Sequence, residues 1–382
     1  ISPWLFDCPS QILRNSATNW YNTHKKFLKG ICGKPKKKRK GDSESVHLTR
    51  ELFRFEKCQD GVTRLRIGTK TRDLGYLTIT NHCSYKEPNS LYIKKKNGRY
   101  WVSFCYEDGI DQSNYSTAKE NLEHLRTSSK AALEAFTIGI DRGVCRPVQA
   151  GSKVFDFTKE QKSRKRAKDR YIKRCQRRIA SQVKGSNRRR RTKRRIARAH
   201  EKLGNIRKDF CHKTSRSIVD DPAIKVIVLE DLRSSEMTRR KPSKLKDKRV
   251  SNSKKISSSL RRQILDKSWA QLEVFLAYKS YVAGKALFKV LSHYTSQECA
   301  DCGHTHPNNR KTQDMFLCES CGHSENADQN AAEVIKKRAI NMILDSGTEL
   351  SERGVLLDKG RGAANKTPVA LATSARAVSY TH

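Results

Sequence analysis

The chain has 382 residues, enough for two or three domains, and its 80 Lys and Arg against 39 Asp and Glu leave a formal net charge of +41. With 31% of residues charged and 36% hydrophobic, cores can form, but the surplus positive charge far exceeds what solubility requires and points to nucleic acid as partner. The given sequence holds no apolar run long enough to cross a membrane and shows no secretory signal peptide, so a helical membrane protein is not expected. Eight of the twelve cysteines (Cys8, Cys32, Cys58, Cys83, Cys105, Cys145, Cys175, Cys211) are scattered without pairing rhythm. That pattern fits a reducing compartment, and a cytoplasmic, nucleoid-associated protein is expected. The sequence starts at Ile1 rather than at methionine, inside what reads as folded sequence, so an N-terminally incomplete chain is expected.

Residues 9–29 place Ile12, Leu13, Ala17, Trp20, Tyr21 and Phe27 mostly three or four apart, which predicts an amphipathic helix stopped near Gly30. The run Lys34–Lys40 follows, with Lys36, Lys37, Lys38 and Arg39 at its centre; it reads as a nuclear import address or, preferably here, as a phosphate-binding loop. From Val46 to Tyr106 the period changes to two, giving short strands parted by Gly, Asn and Asp, with a type I′ hairpin turn at Asn97-Gly98. These strands suggest a small β-barrel or curled sheet. The segment from Glu107 to Lys130 reads as a connector with a short helix around Thr117–Arg126.

The apolar run AFTIGI ends on Asp141, and two more short strands joined at Gly151-Ser152 are expected before Phe157. Residues 158–218 carry about two dozen Lys and Arg and few acids. Gly185-Ser186-Asn187 interrupts them, so a helical hairpin is predicted, docked by a sparse apolar stripe and otherwise basic. Arg188, Arg189, Arg190, Arg191, Lys193 and Arg194 are its candidate nucleic-acid contacts. After Asp221-Pro222 comes the apolar strand AIKVIVLEDL, ending on Glu230 and suited to burial on both faces. A Lys-rich loop is expected over 233–255. One continuous helix from Ser257 to Gly284 would then bury Leu260, Ile264, Trp269, Leu272, Phe275, Leu276 and Tyr278.

A further strand, KALFKVLSHY, leads to Cys299-x-x-Cys302 and Cys318-x-x-Cys321, two pairs with fifteen residues between them. Two tight thiolate-bearing turns at this spacing can meet at one tetrahedral zinc, and Gly303 and Gly322 supply the glycine each knuckle wants. His304, His306 and His323 are nearby, but four thiolates already close a structural site. A helix is expected over 327–344, and the tail after Ser346 reads as partly disordered.

Three strands, helices, strand, helix, strand, metal ribbon and helix form the order of an α/β, RNase H-like fold with inserts, a mixed sheet with helices on both faces. This topology would bring Asp141, Glu230 and Asp328 to one sheet edge. Three carboxylates at one point repel unless cations neutralise them, and a pair of Mg²⁺ is the natural occupant. Two such ions roughly 3.5–4 Å apart hydrolyse phosphodiesters by in-line displacement. Asp231 competes with Glu230, but neighbours on a strand face opposite ways. Gly139 and Gly143 are read as leaving the backbone beside Asp141 open to substrate.

The stretches TIGIDRG, VKGSNRRRRTKRR, VIVLEDL, YTSQECADCG and CESCGHSENADQNAA together resemble the TnpB proteins, transposon-encoded RNA-guided DNA nucleases ancestral to compact type V CRISPR effectors. The resemblance covers roughly residues 130–345. It implies a RuvC nuclease domain with Asp141, Glu230 and Asp328 as metal-binding catalytic acids, a structural zinc ribbon at Cys299, Cys302, Cys318 and Cys321, and an upstream wedge domain and recognition segment. Those parts would hold a guide RNA and its heteroduplex with target DNA. The resemblance also implies an additional strand and helix ahead of the point where this sequence starts.

The expected domains are a helical recognition segment (1–45), a β-rich wedge domain and connector (46–130), the nuclease domain with its basic hairpin (131–298 with 158–218), the zinc ribbon (299–325), the last nuclease helix (326–345) and the tail (346–382). The expected function is RNA-guided, Mg²⁺-dependent DNA endonuclease. RNA-guided binding without cleavage and a compact CRISPR-associated effector remain as alternatives; a transposase joining strands without RNA ranks last.

Overall fold

The structure is a computed structural model and describes residues 3, 6–36, 44–58, 62–69, 72–80, 84–106, 115–239 and 258–358. Lys37, Lys38, Arg39, Cys83, most of the 233–255 loop and the end of the tail lie outside these residues. The chain divides near residue 111 into two compact units.

The first unit begins with α1 (Ser10–Leu28), followed by β1 (Glu44–Thr49), β2 (Phe53–Lys57), β3 (Thr63–Gly68), β4 (Asp73–Ile79), β5 (Ser90–Lys96) and β6 (Arg99–Phe104). The strands pair antiparallel as two three-stranded sheets, β1-β5-β6 and β2-β3-β4, around one core of Leu48, Leu52, Phe53, Leu65 and Leu91. Asn97 and Gly98 turn the β5–β6 hairpin with φ of 52° and 77°, the positive values a type I′ turn demands. The helix differs from its predicted face: Ile12 packs on the core, but Trp20 and Tyr21 are exposed, because only the first half of α1 has a sheet to dock against.

In the second unit α2 (Ala118–Leu125) starts with a capping box formed by Thr117 and Glu120. Next come α3 (Lys130–Phe136), β7 (Thr137–Asp141), β8 (Val148–Ala150), β9 (Lys153–Phe155), α4 (Lys159–Ala180), α5 (Asn187–Val219), β10 (Val226–Glu230) and α6 (Ser234–Thr238). The chain continues through α7 (Ser258–Lys267), α8 (Trp269–Val282), β11 (Ala286–Val290), β12 (Met315–Leu317), β13 (Ser324–Asn326), α9 (Ala327–Leu344), β14 (Thr348–Leu350) and β15 (Leu356–Asp358).

The central sheet runs β11-β10-β7-β8-β9. Its first three neighbours are parallel and the β7-β8-β9 part is an antiparallel meander. Every residue of β10 is buried. Ile227 and Leu229 face a core with Phe210, Leu272 and Leu276, while Val226 and Val228 face one with Phe288, Ile335 and Ile340. Helices α5 and α8 thus cover one face and α2, α3 and α9 the other, as a parallel sheet requires.

Three local features depart from the sequence expectation. The predicted Ser257–Gly284 helix is broken by Ser268, which takes a left-handed conformation with φ 56°. The break turns the chain between two docking partners: α7 is tied to α4 by Lys165–Asp266 (2.7 Å) and Arg262–Asp169 (3.2 Å), whereas α8 buries Leu272, Phe275 and Leu276 on the sheet. Leu260 is accordingly exposed. Residues 130–136, expected as connector running into strand, form α3 under a Ser129 cap. The start of the tail folds as the β14–β15 hairpin, which bonds the free edge of β11 through Lys289 N–H to Gly354 O (2.8 Å) and buries Val355 and Leu356.

Candidate active site and metal centre

The parallel ladder of β7 and β10 pairs Ile140 with Leu229, so the next residues, Asp141 and Glu230, leave adjacent strands at the same, C-terminal edge. That edge is where open α/β sheets bind ligands. Helix α9 crosses β7 and brings its second residue, Asp328, to the same place; Asn326 caps it by accepting from the Asp328 N–H at 3.2 Å.

Glu230 and Asp328 are buried and Asp141 is partly so. Burial, with the charges of Glu230 and Asp328, pushes the Asp141 carboxyl up to about 8. Burial also raises Glu230 against the pull of Thr295 and Arg142, and raises Asp328 against Arg310 and Arg146. A site whose acids hold protons this tightly gains from cationic partners.

Arginines supply part of that charge. Arg310 approaches Asp328 Oδ1 at 3.4 Å, and Arg146 approaches Oδ2 at 4.0 Å while bonding Asn326 Oδ1 at 3.0 Å. Glu230 accepts from the Thr295 hydroxyl. The three carboxylates share an edge without drawing together as tightly as the four cysteines do. Asp231 turns away, to Arg353 (3.3 Å) and Arg233 (3.9 Å).

The two glycines beside Asp141 are not open to substrate. A Cβ on Gly139 would lie 2.0 Å from Ala332 O and 2.8 Å from Lys336 N, so Gly139 is the place where α9 rests on β7. A Cβ on Gly143 would meet Arg146 O at 2.7 Å, within the turn that follows Asp141. Sequence reasoning also missed Thr295, Arg146 and Arg310. An arginine in a basic chain carries no local signal; only the fold brings these to Asp328.

The ribbon cysteines converge. Cys299 Sγ lies 3.7 Å from Cys321 Sγ and Cys302 Sγ lies 3.6 Å from Cys318 Sγ, and all four atoms fall within 4.8 Å of one another. Tetrahedral zinc with bonds of about 2.3 Å needs sulfurs about 3.8 Å apart, so the cluster fits a metal such as zinc. Both knuckles are built alike: Cys299 and Cys318 donate their N–H groups to His304 O and His323 O, each at 2.9 Å. Gly303 and Gly322 close the turns with φ of 75° and 73°. His306 and His323 pair instead with Glu319 (2.8 Å) and Asp301 (3.0 Å).

Side chains of α9 pin the ribbon. Asn330 accepts from Ala300 N–H (2.9 Å) and donates to Glu298 O (2.7 Å), and Lys337 donates to Ala300 O (2.5 Å). Asn330 is fully buried. Asn330→Ala leaves both main-chain groups unpaired, a cost of about 2–4 kcal/mol. The expected result is faster zinc release to a chelator than in the wild type, read with a colorimetric zinc indicator.

On the basic hairpin Arg188, Arg190, Arg191, Lys193 and Arg194 are exposed. Arg189 is half-buried and donates to Ile179 O (2.5 Å) and Gln182 O (2.7 Å), capping the end of α4. Its guanidinium thus holds the hairpin together instead of facing a ligand. Lys36 is exposed. Between the hairpin and α7 lies an open cleft of about 950 Å³ lined by Lys173, His200, Arg207 and Arg262, with Cys145 from the turn after Asp141.

Two family models match this unit. Residues 115–241 match the family OrfB_IS605, described as a probable transposase, and residues 269–335 match the Cas12f1-like TNB domain. With the sequence motifs these place the chain as a relative of the TnpB proteins. InsQ of Escherichia coli (strain K12), named as a candidate RNA-guided DNA endonuclease, is 28% identical over 370 residues, covering 94% of this chain and 79% of InsQ. The CRISPR-associated endodeoxyribonuclease Cas12f1 of Sulfoacidibacillus thermotolerans is 33% identical over 153 residues, 39% of this chain and 31% of that protein. A cryo-EM structure of a Cas12f1–sgRNA–target DNA complex aligns over 82% of this chain and 67% of that chain, at 15% identity and a TM-score of 0.47. No helix among the described residues is long and apolar enough to cross a membrane.

Proposed function

We propose that this chain is an RNA-guided DNA endonuclease that hydrolyses phosphodiester bonds of target DNA at the Asp141–Glu230–Asp328 edge. The observation that carries the reading is the convergence of two strand-end acids and one helix-start acid on that edge, where burial and the charges of Glu230 and Asp328 raise the hold of Asp141 on its proton. The names of the relatives support the same activity. In this reading the five-stranded sheet is the core of an RNase H-like, RuvC-type domain, the first unit is the wedge domain, and the ribbon is a structural zinc site.

Magnesium held by Asp141, Glu230 and Asp328 would supply charge neutralisation and an activated water. The donor set suits a hard divalent cation, all three side chains being carboxylates. The protein's own residues set the geometry: the parallel strands bring Asp141 and Glu230 to the same edge, Thr295 orients Glu230, and the Asn326 cap places Asp328. Arg146 and Arg310 stand within reach of the same edge and would meet the substrate phosphate. The basic hairpin and Lys36–Arg39 would grip guide RNA and heteroduplex backbones, with sequence read by guide pairing. A compact CRISPR-associated effector is the second reading, favoured by the match to the Cas12f1-like TNB domain.

The test is cleavage of a matched duplex by the protein purified with its co-expressed RNA in Mg²⁺. Asp141→Ala is expected to leave RNA and DNA binding intact and remove cutting; undiminished cutting by that variant would refute the assignment.

A further inference from the structure

The β7–β10 ladder ends one residue before the acids, at Ile140 and Leu229. Beyond it the two strands are held by other neighbours: Asp141 pairs with Gln149 of β8, and Glu230 with Val290 of β11. No backbone ladder therefore sets the distance between Asp141 and Glu230. The Arg142 side chain crosses that gap. Arg142, the residue after Asp141, is 3% exposed; its Nη2 donates to the Glu230 main-chain O at 2.5 Å and its Nη1 to Glu273 Oε2 on α8 at 2.9 Å. The other oxygen of Glu273 pairs with Lys289 of β11.

We infer that Arg142 is a positioning residue that fixes Glu230 relative to Asp141, with Glu273 and Lys289 holding its guanidinium in place. The inference rests on reading that edge as the nuclease site. Stability alone is a poor reason for this arrangement. A buried ion pair seldom outperforms well-packed apolar side chains, and the Arg142 Nε is buried without a hydrogen-bond partner, which adds a cost. What the guanidinium does supply is a rigid two-pronged donor whose prongs reach two different elements.

The experiment separates geometry from stability. In Arg142→Met/Glu273→Gln the three side chains keep their net charge, because one cation and one anion are removed together, and the amide oxygen introduced at position 273 can still accept from Lys289. The RNA-bound variant, the wild type and Arg142→Lys are compared in thermal melting, target-DNA binding, manganese binding followed by EPR, and the manganese concentration giving half-maximal cleavage. The double variant is expected to melt and bind DNA like the wild type, but to need at least tenfold more manganese for binding and cleavage. Arg142→Lys, which keeps the charge but cannot reach both partners, is expected to fall between.

Unchanged manganese dependence in the variants overturns the inference, as does a lowered melting temperature with wild-type manganese affinity. If the double variant does not fold, Arg142→Lys decides the question by the same readings. A wild-type complex that neither binds manganese nor cleaves overturns the nuclease reading and this inference with it; a wild type that does both, matched by the variants, overturns the inference alone.

Discussion

Asp328→Ala is expected to lower cleavage by roughly 10³-fold or more while leaving zinc content, guide-RNA binding and target binding at wild-type levels. The separation follows from how α9 is used. Asp328 is in its first turn and meets Arg310 and Arg146, whereas the ribbon hangs on Asn330, Lys337 and Arg338 further along. Removing one carboxylate from a buried group of three relieves repulsion, so the variant should melt at or above the wild-type temperature in the absence of divalent cations. Cys318→Ser is the mirror case: zinc is lost, the ribbon loosens, and cleavage falls because Arg310 and the start of α9 lose their support. Metal analysis, melting and a cleavage time course on both variants check this division. Loss of zinc in Asp328→Ala would refute it.

Gly139→Ala carries the second large effect, although it adds one methyl group and meets only backbone atoms. That methyl would lie 2.0 Å from the backbone oxygen of Ala332. Backbone atoms in the middle of a helix cannot move aside as a side-chain tip can, so α9 as a whole must lift. Overpacking of this kind costs about 3 kcal/mol, or a fall in apparent Tm of roughly 6–12 °C. The same lift carries Asp328 away from Asp141, and a displacement near 1 Å at reacting groups costs roughly 10²-fold in rate. The expected result is impaired cleavage below the melting temperature, at saturating RNA and DNA. Cleavage at the wild-type rate would show that α9 does not set the geometry.

The parts of the molecule legible in sequence are those fixed by local chemistry. The two Cys-x-x-Cys knuckles with their glycines, the strand ending on Glu230 and the helix beginning at Ala327 are written in adjacent residues, and the structure puts them where that chemistry predicts. Asp141 and Asp328 could be brought to one edge on paper because strand order constrains topology. What stayed hidden depends on partners distant in sequence. Ser268 breaks a helix whose pattern is unbroken, because α7 and α8 answer to different surfaces. Gly139 is explained by a helix nearly two hundred residues later in the chain. Arg142 reads as one more cation among 80 Lys and Arg until its buried partners are seen. Arg189, apparently part of a uniform basic run, caps its own hairpin.

The β14–β15 hairpin bears on how the protein can be trimmed or joined to others. Its turn bridges to the β11 edge between Val355 and Lys289, Arg126 bonds the carbonyl of Thr348, and Arg353 holds Asp231, the neighbour of Glu230. A fusion partner or purification tag therefore has its natural attachment point after Asp358. A junction cut anywhere between 348 and 358 would strip the sheet of its edge cover and release the residue next to a candidate catalytic acid.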